Sequence, residues 1–134
     1  MEIEEPCLSW LILTARICLA VVYLVSGIHK SIWYRSAAAE FQEAKVPAIW
    51  LTLPATMGLH LVASIFLIVG FMTREAALAL ALFTVVATLK VHAYWRLPDE
   101  EQLGRSRIAT ANLAVVGGLL LLAAVGPGDI ALAP

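Results

Sequence analysis

The sequence predicts an all-α fold: a four-transmembrane-helix bundle with a short interfacial helix between the first and second transmembrane helices. Of the 134 residues, 61% are hydrophobic and only 14% are charged, whereas about a quarter of the residues in soluble domains are charged. The apolar residues fall into four blocks, each long enough to cross a bilayer, which takes about 20 residues. We therefore expect a single integral membrane domain over residues 1–134, with spans at about 7–28, 48–72, 76–95 and 108–126.

The first span, residues 7–28, carries an arginine inside its apolar run. Trp10 lies near one end of the span and Trp33 just past the other, where aromatic side chains favour the headgroup region. Counted from Cys7 at about 1.5 Å per residue, Arg16 falls close to mid-depth. A charge there costs about 2.5–3.5 kcal/mol on insertion scales. Arg16 either extends to the nearer interface or faces the bundle interior and holds a polar or anionic ligand.

The connection to the second span is too polar to cross a membrane. Ser36 suits the N-cap of a short helix over residues 37–45, which we expect at the membrane surface. Pro47 ends this helix and opens the second span, in which His60 falls near the middle. The turn that follows, Met72-Thr-Arg-Glu, is short and predicts an antiparallel hairpin of the second and third spans.

The last two spans carry polar residues at regular positions. In the third span, three of them share one face because they are four residues apart: Thr84, Thr88 and His92. The fourth span contains Asn112 and a Gly-Gly pair. Together with Ala114, Gly118 makes a small-xxx-small pattern that allows close helix approach. A Gly126-Pro-Gly sequence then breaks the helix.

Basic residues predict the orientation of the bundle. The side with the two longer connections holds seven of them: Lys30, Arg35, Lys45, Lys90, Arg96, Arg105 and Arg107. The opposite side holds only Arg74. Cytoplasmic loops are enriched in lysine and arginine, so we expect both termini on the non-cytoplasmic side. The acidic start, Met-Glu-Ile-Glu-Glu-Pro, lacks the basic region of a signal peptide, and none is expected.

The polar residues inside the predicted spans are the candidates for binding a ligand. None of the predicted spans contains Asp or Glu, and polar groups in hydrocarbon need partners. Our candidate residues for a quinone or lipid site are Arg16, His60, Thr84, Thr88, Ser26, Lys30, His92 and Asn112. Each also has a structural role open to it: a threonine can bond its own backbone, and an asparagine can join two helices.

The histidines and cysteines do not predict a metal site or a disulfide. His60 lies too deep to meet His29 and His92 at one metal ion, so no metal is expected. Cys7 and Cys18 are separated by about 16 Å of helical rise, too far for a disulfide. Both cysteines are interpreted as small apolar side chains.

Five short motifs occur in order along the chain: Arg16 with Ser26-Gly27-x-x-Lys30, Phe41 with Val46-Pro47, Gly70-Phe-Met-Thr-Arg-Glu-Ala-Ala, His92, and Asn112 with Gly117-Gly118 and Gly126-Pro-Gly. With this order and spacing, the chain resembles the DoxX family of small four-helix bacterial membrane proteins. Two positions depart from the family pattern. His60 stands where the family commonly has a glutamate, and Ala131-Leu132-Ala133 replaces a Ser-Leu-Asp sequence. Arg16 therefore lacks an intramembrane carboxylate partner.

The resemblance implies a bacterial inner membrane location and a link to quinone-reducing oxidoreductases. Our leading hypothesis is a small multi-pass subunit that supports a membrane redox complex and binds quinone or lipid between its helices. An interior with cations and imidazole is suited to donating hydrogen bonds to a carbonyl or phosphate oxygen. The expected partners are the lipid bilayer and other membrane subunits or further copies of the chain; no nucleic acid is expected.

Two other functions stay open at this point. The protein is alternatively a purely structural assembly or anchoring subunit without ligand chemistry, which uses its small-residue faces to pack on a larger partner. A small transporter is less favoured, since that mechanism needs an acidic residue in the first span. Whether the protein is an enzyme is left undecided, and no catalytic residue is predicted.

Overall fold

A computed structural model describes residues 2–90 and 99–133, and within these ranges the chain forms five α-helices and no β-strand. The helices are α1 (Glu5–Ile32), α2 (Tyr34–Glu43), α3 (Ile49–Val69), α4 (Thr73–Lys90) and α5 (Asp99–Val125). The predicted all-α fold is confirmed. The end of the third predicted span, residues 91–95 with His92, lies outside the described residues.

Three of these helices are long and apolar enough to cross a membrane: α1, α3 and α5. Within the described residues, α4 is 18 residues long and includes Arg74, Glu75 and Lys90. Its composition therefore does not identify it as a span, and the count of four transmembrane helices stays a prediction. Many large apolar side chains point outward, among them Trp50 at 77% and Leu113 at 72% exposure. Lipid tails can cover such a surface.

Four helices begin earlier than the sequence analysis expects: α1 by two residues, α2 and α4 by three, and α5 by nine. α5 begins at Asp99 rather than near residue 108, because its first turn holds three acidic residues, which stabilise a helix N-terminus. The surface helix expected over residues 37–45 is α2, which begins at Tyr34 directly after the single non-helical residue Trp33.

The helices pack as two pairs. α1 packs chiefly on α3 and α4 on α5, while the short α3–α4 turn joins the pairs. Fully buried apolar residues from four helices form the core: Ala20, Leu67, Ala77, Leu80 and Leu119. Gly27 lets α1 and α3 approach closely, because a Cβ atom there would lie 3.0 Å from the Leu61 side chain.

One end of the bundle is closed by the segment that follows α5. This segment folds back onto the α3–α4 turn, where Leu132 N donates to Val69 O at 2.8 Å and Ala133 N donates to Gly70 O at 3.2 Å. Gly70 ends α3 with a φ of 74°, in the left-handed region. A Cβ atom on Gly70 would lie 2.4 Å from the Ala131 Cβ atom.

Gly70→Ala is expected to lower the free energy of unfolding by about 2 kcal/mol or more, because the left-handed backbone alone costs an L-residue about 1–2 kcal/mol and the returning segment must also move. Gly58→Ala in α3 is the matched control. A Cβ atom there meets nothing within 4 Å, so we expect a gain of about 0.5–1 kcal/mol. Denaturant titration in detergent micelles compares the two variants, and equal stability would contradict this account of the turn.

Candidate functional site

A cavity of about 610 Å³ lies between the helices, and all five helices contribute to its wall. Ligand pockets in proteins commonly measure about 300–1,000 Å³. Much of the wall is apolar, with Phe41, Leu59, Phe83 and Val115 among its residues. The polar and charged lining residues are Tyr23, Ser26, Lys30, Glu40, Thr52, Thr56, His60, Thr84, Lys90 and Asn112. Apolar walls with a few polar groups are typical of a site for an amphipathic molecule.

The cavity brings together five of the candidate residues chosen from the sequence: Ser26, Lys30, His60, Thr84 and Asn112. Thr88 is connected to it through a hydrogen bond from Asn112. His92 lies outside the described residues. Arg16 is not among the lining residues, so the structure does not place it in one site with His60.

Sequence reasoning did not select the five other polar or charged side chains in the same wall: Tyr23, Glu40, Thr52, Thr56 and Lys90. A tyrosine in an apolar helix is usually interpreted as a core residue. A threonine there is usually interpreted as one whose hydroxyl bonds its own backbone. A signal was nevertheless present. Tyr23 precedes Ser26 by three residues and Lys30 by seven, the spacing that puts all three on one face of α1.

Among the described residues, His60 is the buried polar side chain in this wall that has no hydrogen-bond partner. Its side chain is 3% exposed, and neither ring nitrogen has a hydrogen-bond partner among the described residues. The ring meets Tyr23 and Phe83 edge-on, at centroid distances of 5.3 and 4.8 Å. A buried unpaired donor or acceptor costs about 1–3 kcal/mol. The imidazole is held by aromatic contacts, and its two buried nitrogens have no partner within the described parts of the chain.

A chain of hydrogen bonds joins α1, α4 and α5 beside the cavity. Thr84 Oγ1 donates its proton to Leu80 O at 2.7 Å, so the Tyr23 hydroxyl is the donor in its 2.5 Å bond to Thr84. Thr88 donates to Thr84 O at 2.7 Å, and Asn112 Nδ2 donates to Thr88 Oγ1 at 3.0 Å. These bonds fix the side-chain orientations on this wall.

Charged groups line the cavity close to His60. Lys30 Nζ donates to Ser26 Oγ at 2.7 Å, and Glu40 on α2 also faces the cavity. His60 lies beside both Tyr23 and Gly27 of α1, and Lys30 is about 5 Å of helical rise beyond Gly27. We call the part of the cavity near α2 the charged end, and the part lined by Tyr23, Thr56, His60 and Thr84 the deep end.

Arg16 lies at the closed end of the bundle and binds backbone carbonyls. Its side chain is 1% exposed. Nη1 donates to Pro127 O at 2.6 Å and to Ile130 O at 2.7 Å, and Nη2 donates to Ile68 O at 2.9 Å. Since Ile68 is in the last turn of α3, the guanidinium also meets the negative end of that helix dipole. Arg16 connects α1, α3 and the C-terminal segment.

The position of Arg16 differs from the mid-depth position that the sequence analysis expects. Its partner Ile68 is separated from His60 by about 12 Å of helical rise along α3. Arg74 occupies a similar position nearby, with Nη1 at 3.3 Å from the carbonyl oxygens of Ala123 and Ala124 in the last turn of α5. Two arginines thus satisfy carbonyl groups that helix ends leave without intrahelical partners.

The sequence matches a known protein family and is similar to known proteins. A family model described as DoxX matches residues 11–93. The chain is 27% identical over 123 residues to the inner membrane protein YphA of Escherichia coli (strain K12), covering 91% of this chain and 87% of that protein. It is 29% identical over 117 residues to the inner membrane protein YqjF of the same organism, covering 87% and 85%. No solved structure matches the chain significantly.

Proposed function

Because the chain belongs to the DoxX family of membrane proteins, we propose that it binds one quinone or lipid molecule between its helices and supports a membrane redox complex. The proposed arrangement is a single domain of four transmembrane helices, with α4 as the third span and α2 at the membrane surface. The relatives YphA and YqjF are inner membrane proteins, and we place this chain in the same kind of membrane.

The observation that carries the proposal is the imidazole of His60, which has no hydrogen-bond partner within residues 2–90 and 99–133 and lies in the wall of a 610 Å³ cavity. If this position served only for packing, an apolar side chain would be more stable there, because buried polar atoms without partners cost about 1–3 kcal/mol. A bound molecule with a polar group would supply the missing partner. This reasoning makes His60 the central residue of the proposed site.

The shape and polarity of the cavity support an elongated amphipathic molecule. Lys30 and Glu40 lie at the end near α2, where we place the membrane surface and the headgroups. Basic residues gather on the same side, with Arg35 and Lys45 on or next to α2. By the bias of cytoplasmic loops toward lysine and arginine, we propose that this side is cytoplasmic and that both termini lie on the other.

A structural role without a ligand is the second candidate. One observation favours it: a Cβ atom at Gly117 on α5 would meet nothing within 4 Å. Small residues on an open helix face allow another membrane helix to approach closely. In this role the chain would assemble or anchor a larger membrane protein, and the cavity would contain only disordered lipid.

Ala87→Phe is expected to empty the proposed site. Ala87 lines the cavity, and a phenyl group there would occupy space that the bound molecule needs; overpacking costs about 1–3 kcal/mol. We expect native mass spectrometry of gently extracted protein to show one bound amphipathic molecule, with the bound fraction reduced about tenfold in Ala87→Phe.

Leu82→Phe is the matched control on the same helix, since Leu82 is 68% exposed and should retain the molecule. The same spectra separate the two candidate functions. A stoichiometric complex with a larger protein and no small molecule would contradict the binding site and support the structural role.

A further inference from the structure

We infer that the deep end of the cavity selects a molecule that presents a hydroxyl group, such as a phenol, a hydroquinone or an alcohol on an apolar body. This inference rests on the proposed function, because it specifies the chemical form of the molecule bound there. It reverses the expectation from the sequence that the interior donates hydrogen bonds to a carbonyl or phosphate oxygen.

The hydroxyl protons at the deep end are already used within the protein. Tyr23 donates to Thr84, and Thr84 donates to Leu80 O. Thr56 Oγ1 donates to Thr52 O at 2.8 Å. A hydroxyl group has a single proton to donate and two lone pairs to accept with. The oxygens of Tyr23 and Thr56 therefore face a ligand as acceptors.

His60 does not reverse this excess of acceptors. A neutral imidazole has one N–H donor and one acceptor nitrogen. Counted with the oxygens of Tyr23 and Thr56, the deep end offers one donor against three acceptors; Thr84 Oγ1 is left out because it already accepts from Tyr23, and the Lys30 ammonium belongs to the charged end. A carbonyl or ether oxygen can only accept, so it can use the single N–H and leaves every acceptor unpaired. A hydroxyl group can accept from that N–H or donate to one of the acceptors.

A cationic ligand would also donate hydrogen bonds, but the wall does not favour it. Among the described residues that line the cavity, Glu40 is the one acid, and it lies at the charged end near α2. A buried cation without a carboxylate is strongly disfavoured. The donor that fits the deep end is therefore neutral. Tyr23 and Phe83 both line the cavity, and their rings favour an aromatic ring that carries this hydroxyl.

A matched pair of molecules tests the inference directly. 4-Nonylphenol and 4-nonylanisole share the ring and chain, but the second carries a methyl ether in place of the hydroxyl. Titration calorimetry with the full-length protein in detergent should show the phenol binding at least about tenfold more tightly, the effect of one good hydrogen bond in a buried site. Equal dissociation constants would overturn the inference and leave the proposed binding site standing.

Variants identify the acceptor. Tyr23→Phe and Thr56→Val each remove one acceptor oxygen, and His60→Phe removes the imidazole. We expect the affinity ratio of phenol to ether to fall toward one in at least one of the three. Ser31→Ala is the control, because the Ser31 hydroxyl bonds Gly27 O outside the cavity and its loss should leave the ratio unchanged. A ratio unchanged in all three variants would overturn the inference, and failure of both molecules to bind would overturn the proposed function with it.

Discussion

Replacing Arg16 with methionine is expected to lower the free energy of unfolding by about 3–5 kcal/mol, because hydrogen bonds to a charged group contribute about 1.5–3 kcal/mol each and are not fully additive. The change leaves three carbonyl oxygens without their donor, those of Ile68, Pro127 and Ile130. It also removes one of the connections between the C-terminal segment and α3, leaving the backbone hydrogen bonds of Leu132 and Ala133. Arg16→Lys should recover part of the loss, because an ammonium keeps the charge but lacks the planar fork that reaches several acceptors.

Unfolding by sodium dodecyl sulfate in mild detergent measures this effect. Arg35→Met is the matched control, since Arg35 is exposed on α2 and its loss should change stability by no more than about 0.5 kcal/mol. Limited proteolysis gives a second readout: the C-terminal segment should be cut faster in Arg16→Met. Equal stability of the Arg16 and Arg35 variants would show that the carbonyl bonds do not hold this end of the bundle together.

His60→Phe is expected to weaken binding of a phenolic ligand by about tenfold or more while leaving the protein equally stable or more stable by about 1 kcal/mol. The phenyl ring can keep the edge-on contacts with Tyr23 and Phe83. At the same time, two buried nitrogens without partners among the described residues are removed. Affinity and stability should therefore change independently.

Calorimetry for the ligand and detergent unfolding for the protein are compared on the same preparations. His60→Gln keeps one donor and one acceptor and should retain more affinity than His60→Phe. Unchanged affinity in His60→Phe would remove His60 from the site. A parallel loss of affinity and stability would instead identify the histidine as a packing residue of the bundle.

Hydrophobic blocks and turn signals were sufficient to predict the all-α fold and the short helix α2. The predicted Met72-Thr-Arg-Glu turn indicated the α3–α4 hairpin, although the turn lies at Gly70–Met72 and the last three of these residues begin α4. The helix starts were less predictable. α5 begins at Asp99, and its first turns are polar. A search for apolar spans does not detect these turns, although their acidic start is a helix signal.

The partners of Arg16 could not be found in the sequence. They are backbone carbonyls at Ile68, Pro127 and Ile130, and any residue type can present a carbonyl. From side-chain chemistry alone, the sequence analysis therefore considered a ligand in the bundle interior as the partner of Arg16. The helix-breaking Gly126-Pro-Gly did indicate that the chain turns there, but not that it returns to α3. Arg16 and these carbonyl groups are far apart in sequence, and only the folded structure brings them together.

The motifs that resemble the DoxX pattern divide between two places in the structure. Arg16, Gly70, Arg74 and Gly126 meet at the closed end, where they satisfy carbonyl groups and permit tight turns. Ser26, Lys30 and Asn112 line the cavity. His60, one of the two departures from the family pattern, is also in the cavity, where its nitrogens are unpaired within the described residues. Under the proposed function, a change at this position alters what the cavity binds rather than how the bundle is held together.

The most direct test compares the unfolding free energies of ligand-free His60→Phe and Arg16→Met with that of the unmodified protein. The two buried polar residues are assigned opposite roles. Both terminal nitrogens of Arg16 donate to protein carbonyls and only its Nε lacks a partner among the described residues, whereas neither ring nitrogen of His60 has one. The expected result is a large loss of stability for Arg16→Met and no loss, or a gain, for His60→Phe. A comparable loss in both variants would contradict the binding role of His60 and leave the cavity without its central residue.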